Sequence, residues 1–133
     1  MDIDERIGEI FNDLVEIRRD FHMNPELSQK EFRTRDKICE YLDKWGIENY
    51  ICAETGVVGI IKGRNKGKTI GIRGDIDALP IDEKNNLPYS SVNPGVMHAC
   101  GHDAHATIVL GVAKIIKELA DSKDSIRGNV KLL

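Results

Sequence analysis

The apolar residues of this chain change their spacing along its length, and that change fixes the class of fold. Ile3, Ile7, Ile10, Leu14, Ile17 and Phe21 recur in steps of four and three, which puts them on one face of a helix. After His22-Met23-Asn24-Pro25 halts this period, Ser28 precedes Glu31 by three residues, a capping-box pattern expected to open a second helix running to about Trp45. Gly46 should end that helix, and Phe32, Ile38, Tyr41, Leu42 and Trp45 should form its buried face. Val57 to Lys62 and Thr69 to Arg73 are short β-branched runs, and the polar stretch Gly63 to Lys68 between them reads as the turn of a hairpin. Ile108, Val112, Ile115 and Leu119, flanked by Val109 and Ile116, return to helical spacing between Ala104 and Ala120, with Asp103 or His102 expected as the cap. Gly128 to Leu133 then reads as a third strand. Helical and strand periods alternating in one chain define an α/β domain.

Of 133 residues, 41% are hydrophobic and 31% charged, enough apolar content for a packed core and too much for a disordered chain. No window approaches the roughly 18 uncharged apolar residues of a membrane span. The 19 Lys and Arg are outnumbered by 22 Asp and Glu and never interleave with aromatics, so no nucleic-acid partner is expected. The opening MDIDERIGEI has neither the basic start nor the apolar stretch of a signal peptide, which makes a cytoplasmic location the reading. Cys39, Cys52 and Cys100 then do not read as a disulfide framework. Cys39 is expected to be a structural thiol beside the second helix, and Cys52 a small buried hydrophobe.

Between Met97 and His105 the chain packs three of its four histidines together with Cys100 and Asp103. Thiolate and imidazole are ligands that zinc and related divalent ions favour, and Gly101 lets the backbone bend so that Cys100 and His102 can face one ion. No second Cys/His knuckle is available to close a structural zinc tetrahedron, so an open, catalytic type of site is favoured. A nucleophilic Cys100 with a histidine base, and an ordinary helix start carrying surface histidines, remain alternatives. Asp75 and Asp77, directly after the second β-branched run, form a carboxylate pair that reads equally as part of a site or as a solvated turn. The stretch from Asp75 to Pro94 has no sustained period and is expected to be a long irregular connection.

Arg18-Arg19-Asp20-Phe21-His22, Asn24-Pro25-Glu26-Leu27-Ser28, Thr55-Gly56-Val57-Val58, Arg73-Gly74-Asp75-Ile76-Asp77-Ala78-Leu79-Pro80-Ile81, Leu87-Pro88-Tyr89 and Pro94 through Asp103 occur here in order. Together they resemble the M20 family of metallopeptidases, and within it the amidohydrolase branch of N-acyl amino acid amidohydrolases, hippurate hydrolases and auxin-conjugate hydrolases. The resemblance implies a three-layer α/β/α catalytic domain of the zinc-exopeptidase type, interrupted by a smaller lid domain that often mediates dimerisation. It implies two divalent ions per site (zinc, manganese, nickel or cobalt), an N-acyl amino acid as substrate, and a homo-oligomer at full length. Residue by residue, it makes Cys100 and His102 metal ligands and Asp75 a catalytic residue that orients the site. His98, Asp103 and His105 belong to the same string without a firm role. Family members continue into a Gln-Pro-x-Glu-Glu segment that supplies a general base and a further ligand, and these 133 residues contain no such segment. Residues 1–133 are therefore expected to be the N-terminal part of the catalytic domain, ending inside a strand. The lid and the rest of that domain are absent, and the chain alone is expected to be inactive. A non-catalytic truncated domain and a dipeptidase-type M20 peptidase are the competing readings.

Overall fold

A computed structural model describes residues 2–122 and 125–133. Its elements are α1 (Ile3–Met23), α2 (Phe32–Lys44), β1 (Glu48–Cys52), β2 (Gly56–Lys62), β3 (Asn65–Ile72), α3 (His102–Asp121) and β4 (Arg127–Leu132). The expected mixed α/β class is what forms.

Each helix owes its limits to local chemistry. Asp2 caps α1, its carboxylate accepting the backbone N–H groups of Asp4 and Glu5 at 3.0 and 3.2 Å. The start of α2 departs from the Ser28/Glu31 expectation. Glu26, six residues before the helix, accepts the N–H groups of Arg33 and Thr34 and the Thr34 hydroxyl at 2.7 to 2.9 Å, while Glu31 at the cap position makes no capping bond. A carboxylate reaching back from the preceding loop satisfies donors that a serine would otherwise have taken. At the other end Gly46, at φ +66°, closes α2 as expected. Its N–H bonds to Asp43 O, that of Ile47 bonds to Leu42 O, and Ile47 and Leu42 are both buried.

The sheet runs β1-β2-β4-β3. The expected hairpin is thus not formed. β4 inserts between the two runs, antiparallel to β2 through Ile61 opposite Val130, and parallel to β3 through Ile70 opposite Val130. The physical reason is that Val130 and Leu132 are buried, and a strand with such a face gains most at the centre of the sheet. β1, which the sequence reading left unassigned, forms the edge beside β2 and is mostly exposed. Cys52 at its end is exposed, not a buried hydrophobe.

Helices α2 and α3 cover the face bearing Val57, Ile61, Val130 and Leu132, and α1 packs behind α3. On α3 the buried positions are Asp103, Ala106, Thr107, Leu110, Gly111, Ala113 and Ala120, whereas Ile108 of the expected stripe is 60% exposed. Small residues decide which side turns inward. A Cβ on Gly111 would lie 3.0 Å from a Leu14 methyl of α1, so close approach of the two helices requires the missing side chain. Similarly Ile3 and Ile7 of α1 and Phe32 of α2 stay exposed, while Ile10, Ile17, Phe21 and Leu42 form the core with Ile38, Tyr41 and Trp45 packed against it. Cys39 is half-buried, and burial pushes its thiol up. No helix among the described residues is long and apolar enough to cross a membrane.

From β3 to α3 the chain runs through the expected irregular connection, pinned at two points: Ala78 bridges to Leu27, and Leu79 to Met97. These bridges hold the Asp75–Asp77 segment and the histidine-rich turn side by side.

Candidate metal centre

Two stretches far apart in sequence meet at the start of α3. The first leaves β3 at Ile72, where Leu133 N–H and Gly74 N–H bond across to Ile72 O and Leu133 O. Gly74 then presses directly onto α3: a Cβ there would lie 2.9 Å from a Val109 methyl and 3.3 Å from His105 O. Absence of a side chain at this one position brings Asp75 alongside His105, with 4.0 Å between Asp75 Oδ2 and His105 Nδ1. The other oxygen of Asp75 pairs with Arg73 at 2.5 Å.

The second stretch turns at Gly101, whose φ of +89° and ψ of +18° are left-handed. A Cβ at Gly101 would meet nothing within 4 Å, so it is the backbone conformation, not space, that calls for glycine. This turn separates Cys100 from His102 and starts the helix without a side-chain cap, in place of the Asp103 or His102 cap that was expected. His102 and His105 follow three residues apart, so their rings share a face and stack with centroids 5.5 Å apart.

His102 is held by Asp77. Its Nδ1 donates to both the carboxylate Oδ1 at 2.9 Å and the backbone carbonyl of Asp77 at 3.0 Å. A ring that donates from Nδ1 carries its lone pair on Nε2, which is the arrangement of a metal-binding histidine oriented by a carboxylate. Donor atoms of Asp75, His102 and His105 lie within 4.8 Å of one another. Two imidazoles and one carboxylate converging at a half-exposed surface suit a divalent ion of the zinc type with a coordination position left open.

Of the residues singled out from sequence, Asp75 and His102 therefore come together, and Cys100 lies outside that group with an exposed thiol. Two contributors carried little signal in the sequence. The three-residue spacing of His102 and His105 at a helix start could have found His105. Asp77 could not have been separated from Asp75, because its role depends on which carboxylate the fold brings to Nδ1.

Behind these donors lies a buried ionic network. Asp103 is fully buried, and its Oδ2 forms an ion pair with Arg18 Nε at 2.8 Å and meets His22 Nδ1 at 2.7 Å. The other nitrogen of His22 meets Glu83 Oε1 at 3.1 Å, and Glu83 in turn accepts the Ser91 N–H at 2.6 Å. Burial works to raise the Glu83 carboxyl, but the Ser91 N–H and the His22 ring outweigh it and hold it below the usual range. Tyr89 stands edge-on to His22 with centroids 5.8 Å apart, and the guanidinium of Arg19 lies 5.0 Å from its ring centre. The network ties α1, the irregular connection and α3 together directly beside His102.

Residues 71–133 match the Peptidase family M20/M25/M40. The chain belongs to the M20 family. Over 90% of its length it is 47% identical to the N-acetyl-L-cysteine deacetylase of Bacillus subtilis, covering 28% of that protein. Over 99% it is 41% identical to the N-acyl-L-amino acid amidohydrolase of Geobacillus stearothermophilus, covering 35%. A dinuclear metal-binding peptidase of the M20 family from Bacillus subtilis superposes with a TM-score of 0.87 at 41% identity, over 94% of this chain and 35% of that one. The chain thus spans about a third of the length of these relatives.

Proposed function

We propose that this chain is the N-terminal part of the catalytic domain of a metal-dependent amidohydrolase that cleaves the amide bond of N-acyl amino acids. The observation that carries this reading is the Asp77–His102 pair, which occupies Nδ1 of His102 and leaves Nε2 free to bind, in a residue whose ring lies within 4.8 Å, donor atom to donor atom, of Asp75 and His105. The deacetylase and amidohydrolase relatives support the substrate class, and the dinuclear M20 peptidase supports a two-ion centre. His102, Asp75 and His105 would hold an ion, and Cys100, outside that group in this structure, would add its thiolate from the turn one residue before Gly101. When bound, divalent ions supply polarisation of the scissile carbonyl and a lowered pKa for water. The chain's own residues do the rest: Asp77 keeps the Nδ1 proton of His102 in place, and the Arg18–Asp103–His22–Glu83 network immobilises the helix start that bears it. The metal is of the zinc, manganese, nickel or cobalt group. We read the location as cytoplasmic, a reducing compartment in which three free cysteines are expected, and the full-length enzyme as a homo-oligomer. The isolated 133 residues are read as inactive, because they hold no Gln-Pro-x-Glu-Glu segment.

A dipeptidase-type peptidase is the second reading, favoured by the description of the M20 structural relative as a peptidase. Full-length enzyme assayed with Zn2+, Mn2+, Ni2+ or Co2+ against N-acetyl amino acids, hippurate and dipeptides separates the two. Metal titration of the wild type, His102→Ala and Cys100→Ala tests the centre itself. We expect loss of binding in His102→Ala and weaker binding in Cys100→Ala. Full metal content and turnover in His102→Ala would overturn the reading.

A further inference from the structure

Two acid–histidine pairs flank the turn that opens α3: Asp77 with His102 on the metal side, and Asp103 with His22 in the interior. His98 lies next to the second of them. It is 4% exposed, its ring centroid is 6.4 Å from that of His22, and neither of its nitrogens has a hydrogen-bond partner among the described residues. Asp103 Oδ1, equally buried, also has none. Buried polar atoms in folded proteins are almost always hydrogen-bonded, directly or through ordered water, so unpaired atoms on two neighbouring buried side chains call for a bridging water. The neighbouring His22 is the residue whose Nδ1 meets Asp103, which places His98 beside that buried acid–histidine pair. A neutral imidazole has one donor and one acceptor, which matches a carboxylate oxygen on one side and leaves one nitrogen for the other pair.

We propose that His98 is a positioning residue of the metal centre: one ring nitrogen is bridged to Asp103 Oδ1 by a single buried water, and the other faces the Asp77–His102 pair, so that the buried ion network joining α1 to α3 sets the direction of His102. This inference rests on the metal-centre reading above. His98 touches neither ion nor substrate in it. Its effect passes through Asp103, which is held by Arg18 and His22, to the adjoining residue that carries the ligand nitrogen.

The test uses the complete protein with His98→Phe, which fills the space without polar atoms, and His98→Asn, which keeps a donor and an acceptor. Three quantities are measured: Zn2+ and Mn2+ affinity by chelator competition, thermal unfolding without metal, and the imidazole 15N shifts of His102 in the metal-free protein. Loss of an orienting partner weakens a metal site by about ten- to a hundredfold. We expect a fall of that size in His98→Phe with little change in unfolding temperature, recovery of much of it in His98→Asn, and averaged His102 tautomers only in the phenylalanine variant. Unchanged affinity and unchanged His102 shifts in His98→Phe would overturn the proposal. So would equal losses of affinity and stability in both variants, the mark of a space-filling role. Should His98→Phe fail to fold, His98→Asn decides: His102 shifts and affinity at or near wild type support the proposal, and a loss of both overturns it. A wild-type protein that binds neither ion defeats the metal-centre reading instead, and the His102 shifts of the metal-free protein still test His98.

Discussion

Replacing Asp77 by alanine isolates the contact on which the orientation of His102 depends. In the folded chain His102 Nδ1 faces two acceptors of the same residue, the carboxylate at 2.9 Å and the backbone carbonyl at 3.0 Å. Asp77→Ala removes the first and keeps the second, so the tautomer loses its charge-assisted partner and retains a neutral one. Removing a partner of a ligand histidine costs ten- to a hundredfold in metal affinity. With the carbonyl still in place and the Asp77 side chain 29% exposed, the loss should fall near the lower end, about tenfold or ~1.4 kcal/mol. Competition against a chromophoric chelator reads this directly. Asp77→Asn, whose amide oxygen can still accept, should lie between wild type and alanine, and His102→Ala should fall well below both. An Asp77→Ala protein that binds metal within about twofold of wild type would refute the argument that this carboxylate sets the ligand.

Glu26→Ala should destabilise the chain by about 1–3 kcal/mol in urea unfolding, because it strips three hydrogen bonds from the start of α2. Ser28→Ala should change stability by under about 0.5 kcal/mol, and the reverse ranking would restore the capping-box reading. Gly74→Ala places a methyl 2.9 Å from Val109 and should cost about 1–3 kcal/mol while weakening metal binding, since α3 must move away from Asp75. Unchanged affinity there would mean that close approach is not what assembles the donors. For Glu83 the folded carboxyl is held below its ordinary value, so it stabilises the fold above the unfolded pKa of about 4.3, and that stability drains away as pH falls through the lower folded value. Glu83→Gln should therefore flatten the acid limb of urea midpoints measured from pH 3 to 7, and identical limbs would reject the assignment.

What could be read from the sequence was whatever depends on local period and side-chain chemistry. The helical stripes of α1 and α2, the glycine that ends α2 and the β-branched runs of β2 and β3 all signal themselves within a few residues. β1 did not, because Glu48-Asn49-Tyr50-Ile51-Cys52 lies at a sheet edge and has no buried face to impose alternation. The inward side of α3 was misjudged by about one residue step, since hydropathy marks Ile108 while packing selects Ala106, Gly111 and Ala113 for their size. His102 stood out by composition, and Asp75 by the strand end before it. The pairing of His102 with Asp77, and the burial of Asp103 and His98 behind it, arise only when loop and helix are brought together from distant parts of the chain.

Insertion of β4 at the centre of the sheet gives the molecule a direction in time. Val130 finds its neighbours at Ile61 and Ile70, some sixty to seventy positions upstream, so a ribosome must deliver the chain through Val130 before either strand is covered on that side. Until then β2 and β3 carry two open edges with apolar flanks, the kind of surface that recruits stray strands from other chains. The helices can collapse early, but the sheet closes like a zip whose slider arrives last, and slow elongation between α3 and β4 would be the moment of greatest exposure to misassembly.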